Sequence, residues 1–118
     1  MFLTEIEKFN EYIHSYQVEQ FEQNGTNLRF RMSIVFKNGS QLFVKEIIIN
    51  GVKRKYAYHW VNRYGGLICR WDNAPDWPEI ETFPHHRHVK KENRVEASEN
   101  IEFSAILNEI ILAMRKHN

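Results

Sequence analysis

The chain has 118 residues, 42% hydrophobic and 14% aromatic, which suffices for one buried core and excludes two ordinary domains, so residues 1 to 118 are expected to form a single domain. A formal net charge of +1 excludes whole-molecule steering toward a polyanion and leaves any such contact to a local patch. The single cysteine, Cys69, excludes an internal disulfide, and no apolar run approaches the ~20 residues of a membrane span, so a cytoplasmic protein with no membrane partner is expected.

Residues Thr4 to Ser15 place Ile6, Phe9, Tyr12, Ile13 and Tyr16 on a stripe of helical spacing, and Thr4 with Glu7 matches a capping box. A first amphipathic helix is expected there. From Tyr16 the period changes to two, and Asn24-Gly25, Asn38-Gly39, Asn50-Gly51 and Gly65-Gly66 divide the chain into strand-length pieces. The pattern predicts five antiparallel strands in meander order, over 16 to 23, 28 to 36, 41 to 49, 52 to 61 and 67 to 72.

If each dipeptide is the centre of a two-residue turn, the register follows. One face then collects Phe21, Leu28, Phe30, Met32, Ile34, Phe43, Ile47, Ile49, Val52, Tyr58, Trp60 and Trp71. The other collects Arg29, Arg31, Ser33, Val44, Glu46, Lys53, Lys55, Ala57, His59, Arg70 and Asp72. In this register Arg31 faces Glu46, Glu46 faces Lys55, and His59 faces Asp72. Opposite charges at facing positions favour it.

Residues 70 to 89 hold all three prolines, two of the three tryptophans and half of the six histidines. No helical or strand period continues past Asp72, so a long, proline-braced loop is expected, closing one end of the polar face. The last segment, Ile101 to Lys116, repeats apolar residues at Phe103, Ile106, Leu107, Ile110, Ile111 and Met114. That is a second amphipathic helix, with Ser98 or Asn100 to cap it. Both helices have one apolar stripe and only one sheet face matches it. The expected fold class is therefore α+β, a two-layer domain with a five-stranded antiparallel meander and both helices on one face.

Two groups on the polar side are equipped for chemistry. His85, His86 and His88 form a run in which, on an extended chain, His86 and His88 point one way and His85 the other, with Phe83 and Arg87. Two histidines need a third ligand to hold a metal, and His59 or Asp72 would supply one if the loop folds back. No cysteine pair or His-Glu-x-x-His pattern adds to this, histidines bracing a proline-rich loop explain the run equally well, and the expectation is of no metal and no cofactor. The second group is His59 with Asp72, where a carboxylate would fix the imidazole tautomer, beside Arg70 and Arg31 as phosphate binders. Together with a loop histidine these residues describe a metal-free phosphodiester-cleaving site, one histidine as base and another as acid. Trp77 and Phe83 are the candidate stacking residues for a base, with Arg87 as a further substrate contact. A solvated polar sheet face with ordinary cross-strand ion pairs is the better fit to residue types alone.

Tyr58-His59-Trp60, Arg70-Trp71-Asp72-Asn73-Ala74-Pro75, Pro78-Glu79-Ile80 and Thr82-Phe83-Pro84-His85-His86-Arg87-His88-Val89 resemble the signature of the TumE-type toxins of prokaryotic toxin-antitoxin pairs. The resemblance covers about Phe21 to Met114 and matches the N-terminal helix least well. It implies a small cytoplasmic protein whose partner is a cognate antitoxin with a DNA-binding domain. Toxins of this size and layout commonly cleave RNA, so a metal-independent endoribonuclease acting on RNA follows by analogy of class. His59, Asp72, His85, His86 and His88 are the expected catalytic residues, and Arg31, Arg70, Trp77, Phe83 and Arg87 the expected substrate contacts. Two alternatives stay open. One is a non-catalytic interaction module that binds a partner, or forms a homodimer, through the open sheet face; the other is a small metalloprotein built on His86, His88 and His59.

Overall fold

One antiparallel sheet, laid down hairpin by hairpin in sequence order, accounts for most of the chain in a computed structural model that describes residues 2–116. Its seven strands are β1 (Ile13–Asn24), β2 (Asn27–Phe36), β3 (Gln41–Ile49), β4 (Lys53–Val61), β5 (Leu67–Asp72), β6 (His86–Val89) and β7 (Val95–Ala97). A short helix α1 (Phe2–Lys8) and a 3-10 turn (Asn10–Tyr12) precede the sheet, and α2 (Phe103–Lys116) follows it.

The first five strands are those expected, and β6 and β7 are two more, so a five-stranded sheet is corrected to seven strands. The His86 to Val89 stretch is a strand rather than the end of a loop. The first helix also ends earlier than its apolar stripe suggests. Its last hydrogen bonds tighten at Phe9 and Tyr12, and Ile13 pairs with Phe36 on the edge of β2. Pairing with an existing strand edge satisfies the backbone of Ile13 to Tyr16, whereas another turn of so short a helix gains little. Thr4 lies inside α1 rather than at its start.

The hairpins decide which side chains meet the helices. At Asn38-Gly39 the loop has three residues: Phe36 N–H donates to the Ser40 carbonyl at 2.9 Å, and Gly39 N–H donates to the Phe36 carbonyl at 2.9 Å. Gly39 has φ +90°, and an added Cβ would sit 3.1 Å from the Arg63 side chain. One residue more than a two-residue turn moves every side chain of β3 to the other face. The Asn50-Gly51 loop, with Ile49 opposite Lys53, adds one residue again and restores the original sense in β4.

Only β3 is therefore reversed. Leu42, Val44 and Glu46 are buried opposite Ile34, Met32 and Phe30, while Phe43, Ile47 and Ile49 lie on the open face. The expected facing pairs are corrected accordingly: Arg31 faces Lys45, Glu46 faces Phe30 and Tyr56, and Lys55 faces Ile47. An irregularity at Trp60 and Val61 shifts β5 as well, so His59 faces Arg70 and Asp72 faces Ala57.

On the helix side, Phe103, Ile106, Leu107, Ile110, Ile111 and Met114 of α2 are buried against the sheet. Ile6 and Phe9 extend that layer, and Phe2 stacks on Phe30 with ring centroids 4.4 Å apart. Within it lies a carboxylate, Glu46, held by Arg54 through two bonds of 3.0 Å and by the Tyr58 hydroxyl, which donates to it. Burial pushes the Tyr58 hydroxyl well above its usual range, and the Glu46 charge beside it adds to the effect. Replacing Glu46 by alanine leaves the half-buried Arg54 guanidinium to the Tyr58 hydroxyl and the exposed Glu102 carboxylate, and is expected to cost about 3 kcal/mol. Urea unfolding followed by tryptophan fluorescence checks this, and the Glu46→Ala/Arg54→Met double variant should lose less than the single one.

Candidate functional site

Alternation along β5 sends Cys69 and Trp71 into the core and Arg70 and Asp72 to the open face. β6 pairs with β5 so that His86 stands opposite Asp72 and His88 opposite Arg70. Two histidines spaced by two residues on one strand thus arrive beside one acid. All three are buried, Asp72 at 7% exposure, His86 at 1% and His88 at 3%.

The bonds are specific to each atom. Asp72 Oδ1 accepts the Ala74 N–H at 3.0 Å and lies 2.9 Å from His86 Nε2. Its Oδ2 accepts from Arg70 Nε at 3.1 Å and lies 3.4 Å from His88 Nε2. The far side of each ring is spent on the main chain: His86 Nδ1 is 2.9 Å from the Pro84 carbonyl and His88 Nδ1 is 2.7 Å from the Glu92 carbonyl. Arg70 continues to the Glu92 carboxylate at 3.0 and 3.2 Å, and its Nη2 stands 3.3 Å from His88 Nε2. The indole of Trp77 meets the His88 ring edge-on at 6.3 Å.

Arg70, Asp72, His86 and His88 line a cleft of about 680 Å³ together with Lys45, Lys53, Lys55, Phe83 and Pro84. The segment that carries Phe83 and Pro84 is fixed at both ends. Asn73 accepts the Tyr56 N–H at 3.0 Å and donates to the Arg54 carbonyl at 2.8 Å, continuing β5 with its side chain. Thr82 Oγ1 donates to the His85 carbonyl at 2.5 Å and accepts the Ser98 N–H at 2.9 Å. The Phe83-Pro84 peptide between them is cis.

Of the residues singled out in the sequence, the structure brings together Asp72, His86, His88 and Arg70, with Trp77 and Phe83 beside them. His59 is on the same face but opposite Arg70, so the expected His59 and Asp72 pair is corrected. Arg31 is exposed on β2, next to Lys45 and outside the cleft lining. His85 turns away to the Tyr56 hydroxyl, 2.9 Å from Nδ1, and Arg87 crosses to the helix side, bonding Glu96 at 3.2 Å and Glu109 at 3.1 Å. Cys69 is buried, which pushes its thiol up to about 12 and leaves it unreactive.

Two participants were absent from the sequence-based set. Glu92 holds both Arg70 and His88; its only signal was a position four residues after His88 in a run of polar turn residues. Lys45 reaches the cleft because β3 is reversed, which the turn dipeptides alone do not show.

An antiparallel meander with helices on one side and buried imidazoles, a carboxylate and cations gathered in a cleft on the other defines a small α+β protein with one concentrated polar site. The chain belongs to the TumE toxin family, whose model, described as Toxin TumE, matches residues 2–116. It is thus the toxin component of a toxin-antitoxin system, and membership implies a cognate antitoxin partner. No curated protein and no solved structure matches it. Among the described residues no helix is long and apolar enough to cross a membrane.

Burial holds the His59 imidazole below its usual range, helped by the Arg70 charge, and burial with Arg54 does the same to His85. The unfolded rings titrate near ~6.5. Between that value and the folded one the unfolded chain binds more protons, so this contribution to stability is complete above ~6.5 and is lost as pH falls toward the folded values. The drop in urea midpoint between pH 7.5 and 5.5 should be smaller in His59→Gln than in the parent chain; an equal drop would contradict the assignment.

Proposed function

We propose that this toxin acts on RNA as an endoribonuclease, with the chemistry at Asp72, His86, His88 and Arg70. The observation that carries the reading is the convergence of side chains from β5 and β6 on one buried carboxylate in a cleft that three lysines also line. Arg70 is the planar donor suited to a phosphodiester, and Lys45, Lys53 and Lys55 supply sequence-independent attraction for the backbone. Phe83 and Trp77 offer faces or edges on which an unpaired base stacks. The cleft volume falls within the ~300–1,000 Å³ of small-ligand sites. Asp72 holds the rings of His86 and His88, while His59, held below its usual range by burial and the Arg70 charge, stands opposite Arg70 as a neutral base. The cognate antitoxin, carrying a DNA-binding domain, is the partner in this reading.

A second reading, a non-catalytic module, rests on the outer strand β1. It is an edge of the sheet, and Tyr16, Val18 and Phe21 are exposed there, Phe21 at 63%. Such a strand suits the antitoxin or a second copy of this chain.

Incubating purified protein with end-labelled RNA separates the two. Asp72→Asn and Arg70→Gln should each reduce cleavage by about 100-fold or more while leaving antitoxin binding intact. RNA left whole by the parent protein, with and without added divalent metal, would end the ribonuclease reading.

A further inference from the structure

The two buried histidines are arranged as ligands. A main-chain carbonyl only accepts, so His86 and His88, each with Nδ1 against such a carbonyl at 2.9 and 2.7 Å, carry their hydrogen on Nδ1. The Nε2 of a neutral ring is then a lone pair. Both Nε2 atoms face the oxygens of Asp72, at 2.9 and 3.4 Å, and a lone pair there repels the carboxylate unless the ring carries a second proton or a cation lies between. Arg70 partly answers this at His88 Nε2 and Asp72 Oδ2. Among the described residues no side-chain cation is bonded to His86 Nε2.

We propose that Asp72, His86 and His88 form a binding site for one divalent transition-metal ion of the zinc class. One ligand atom from each residue lies within 4.8 Å of the other two. Metal bonds of about 2.0–2.1 Å to nitrogen and oxygen put neighbouring ligands about 2.9 Å apart at an octahedral corner and about 3.3 Å at a tetrahedral one; the two imidazole–carboxylate separations here are 2.9 and 3.4 Å, one to each oxygen of Asp72. Two imidazoles with one carboxylate are the facial three-ligand set that leaves further positions open. The carbonyls on Nδ1 are the outer bonds that fix a ligating tautomer. A set with two nitrogens selects zinc, cobalt, nickel, manganese or ferrous iron over magnesium and calcium, which take oxygen ligands. All three residues line the cleft, which gives an ion its entry and an open position toward the lysines.

Arg70 shares Asp72 Oδ2 and His88 Nε2 with the ion and is itself tied to Glu92 at 3.0 Å. Its partly exposed side chain has room to keep Glu92 and release the other two as metal enters. Arg70 is thereby a competitor for the site and then a neighbour of whatever the ion holds. The site does not rest on the RNA reading, since binding is measured without substrate; a chain that takes zinc and leaves RNA intact keeps the site and loses that reading.

The test is calorimetric titration of Zn²⁺ into untagged full-length protein stripped with a chelator, with Mg²⁺ as control. One ion per chain at a dissociation constant on the order of micromolar or below is expected, and Asp72→Asn and His86→Gln should each weaken it about 100-fold or more. Arg70→Gln should bind at least as tightly as the parent. Nitrogen-15 spectra of the parent chain's histidine rings need no variant: zinc should move the Nε2 signals of His86 and His88 and keep their Nδ1–H. A dissociation constant above about 1 mM, affinity undiminished in both ligand variants, or Nε2 signals that do not move would each overturn the site.

Discussion

A carboxylate taken out of water must be met by donors or cations, and around Asp72 the chain meets that demand from several directions at once. The Ala74 N–H follows directly in sequence and Arg70 comes from the same strand, and the two imidazoles of β6 close on the same oxygens. β6 has four residues, only Val89 apolar, and no core contact comparable to those of the earlier strands. What fixes it beyond its ladder bonds is this cluster on one face and the Arg87 bridge to Glu96 and Glu109 on the other. The end of the sheet that carries the site is therefore stabilised by polar bonds, where the remainder is stabilised by apolar burial.

The sheet buries a second carboxylate, and the contrast shows why one is structural and the other is suited to chemistry. Both oxygens of Glu46 are taken by the guanidinium fork of Arg54, with the Tyr58 hydroxyl alongside, and α1, α2 and the sheet surround the group. Arg54 also donates to the Tyr58 hydroxyl at 3.0 Å and reaches the Glu102 carboxylate at 3.8 Å, and no imidazole is among these partners. At Asp72 the partners include two imidazoles, whose free nitrogen accepts a proton, a metal or a donor, and an arginine already divided between two acids. The cluster that carries imidazoles lies on the open face at the cleft, while the Glu46 carboxylate is buried on the helix side.

Much of this was legible from residue order. The stripe of α2, the five long strands and the separation of Trp71 and Cys69 from Arg70 and Asp72 follow from periods of 3.6 and two. The His86 and His88 pairing with Asp72 was visible only as an option, because it depends on a strand too short and too polar to show a period. The face of β3 was not legible, since Asn-Gly signals a turn without stating whether two or three residues close it. The extra residues at the two turns around β3 cancel in β4, so two-residue turns put His59, Arg70 and Asp72 on the correct face but His59 opposite Asp72 instead of Arg70. The first helix was over-extended because Ile13 and Tyr16 fit its stripe, and the open edge of β2 competed for the same backbone.

The paired three-residue hairpins around β3 bear on how this chain tolerates insertion and deletion over time. Shortening the Asn38-Gly39 loop by one residue inverts β3 and everything after it, delivering Trp71 to solvent and Asp72 to the helices; a matching change at Asn50-Gly51 confines the inversion to β3 alone. The two loop lengths thus act on the fold together: changing one alone inverts every later strand, and changing both inverts β3 alone, exposing Leu42 and Val44. The face on which the site stands is in this sense encoded by the parity of two turns, of which the second borders the cleft through Lys53.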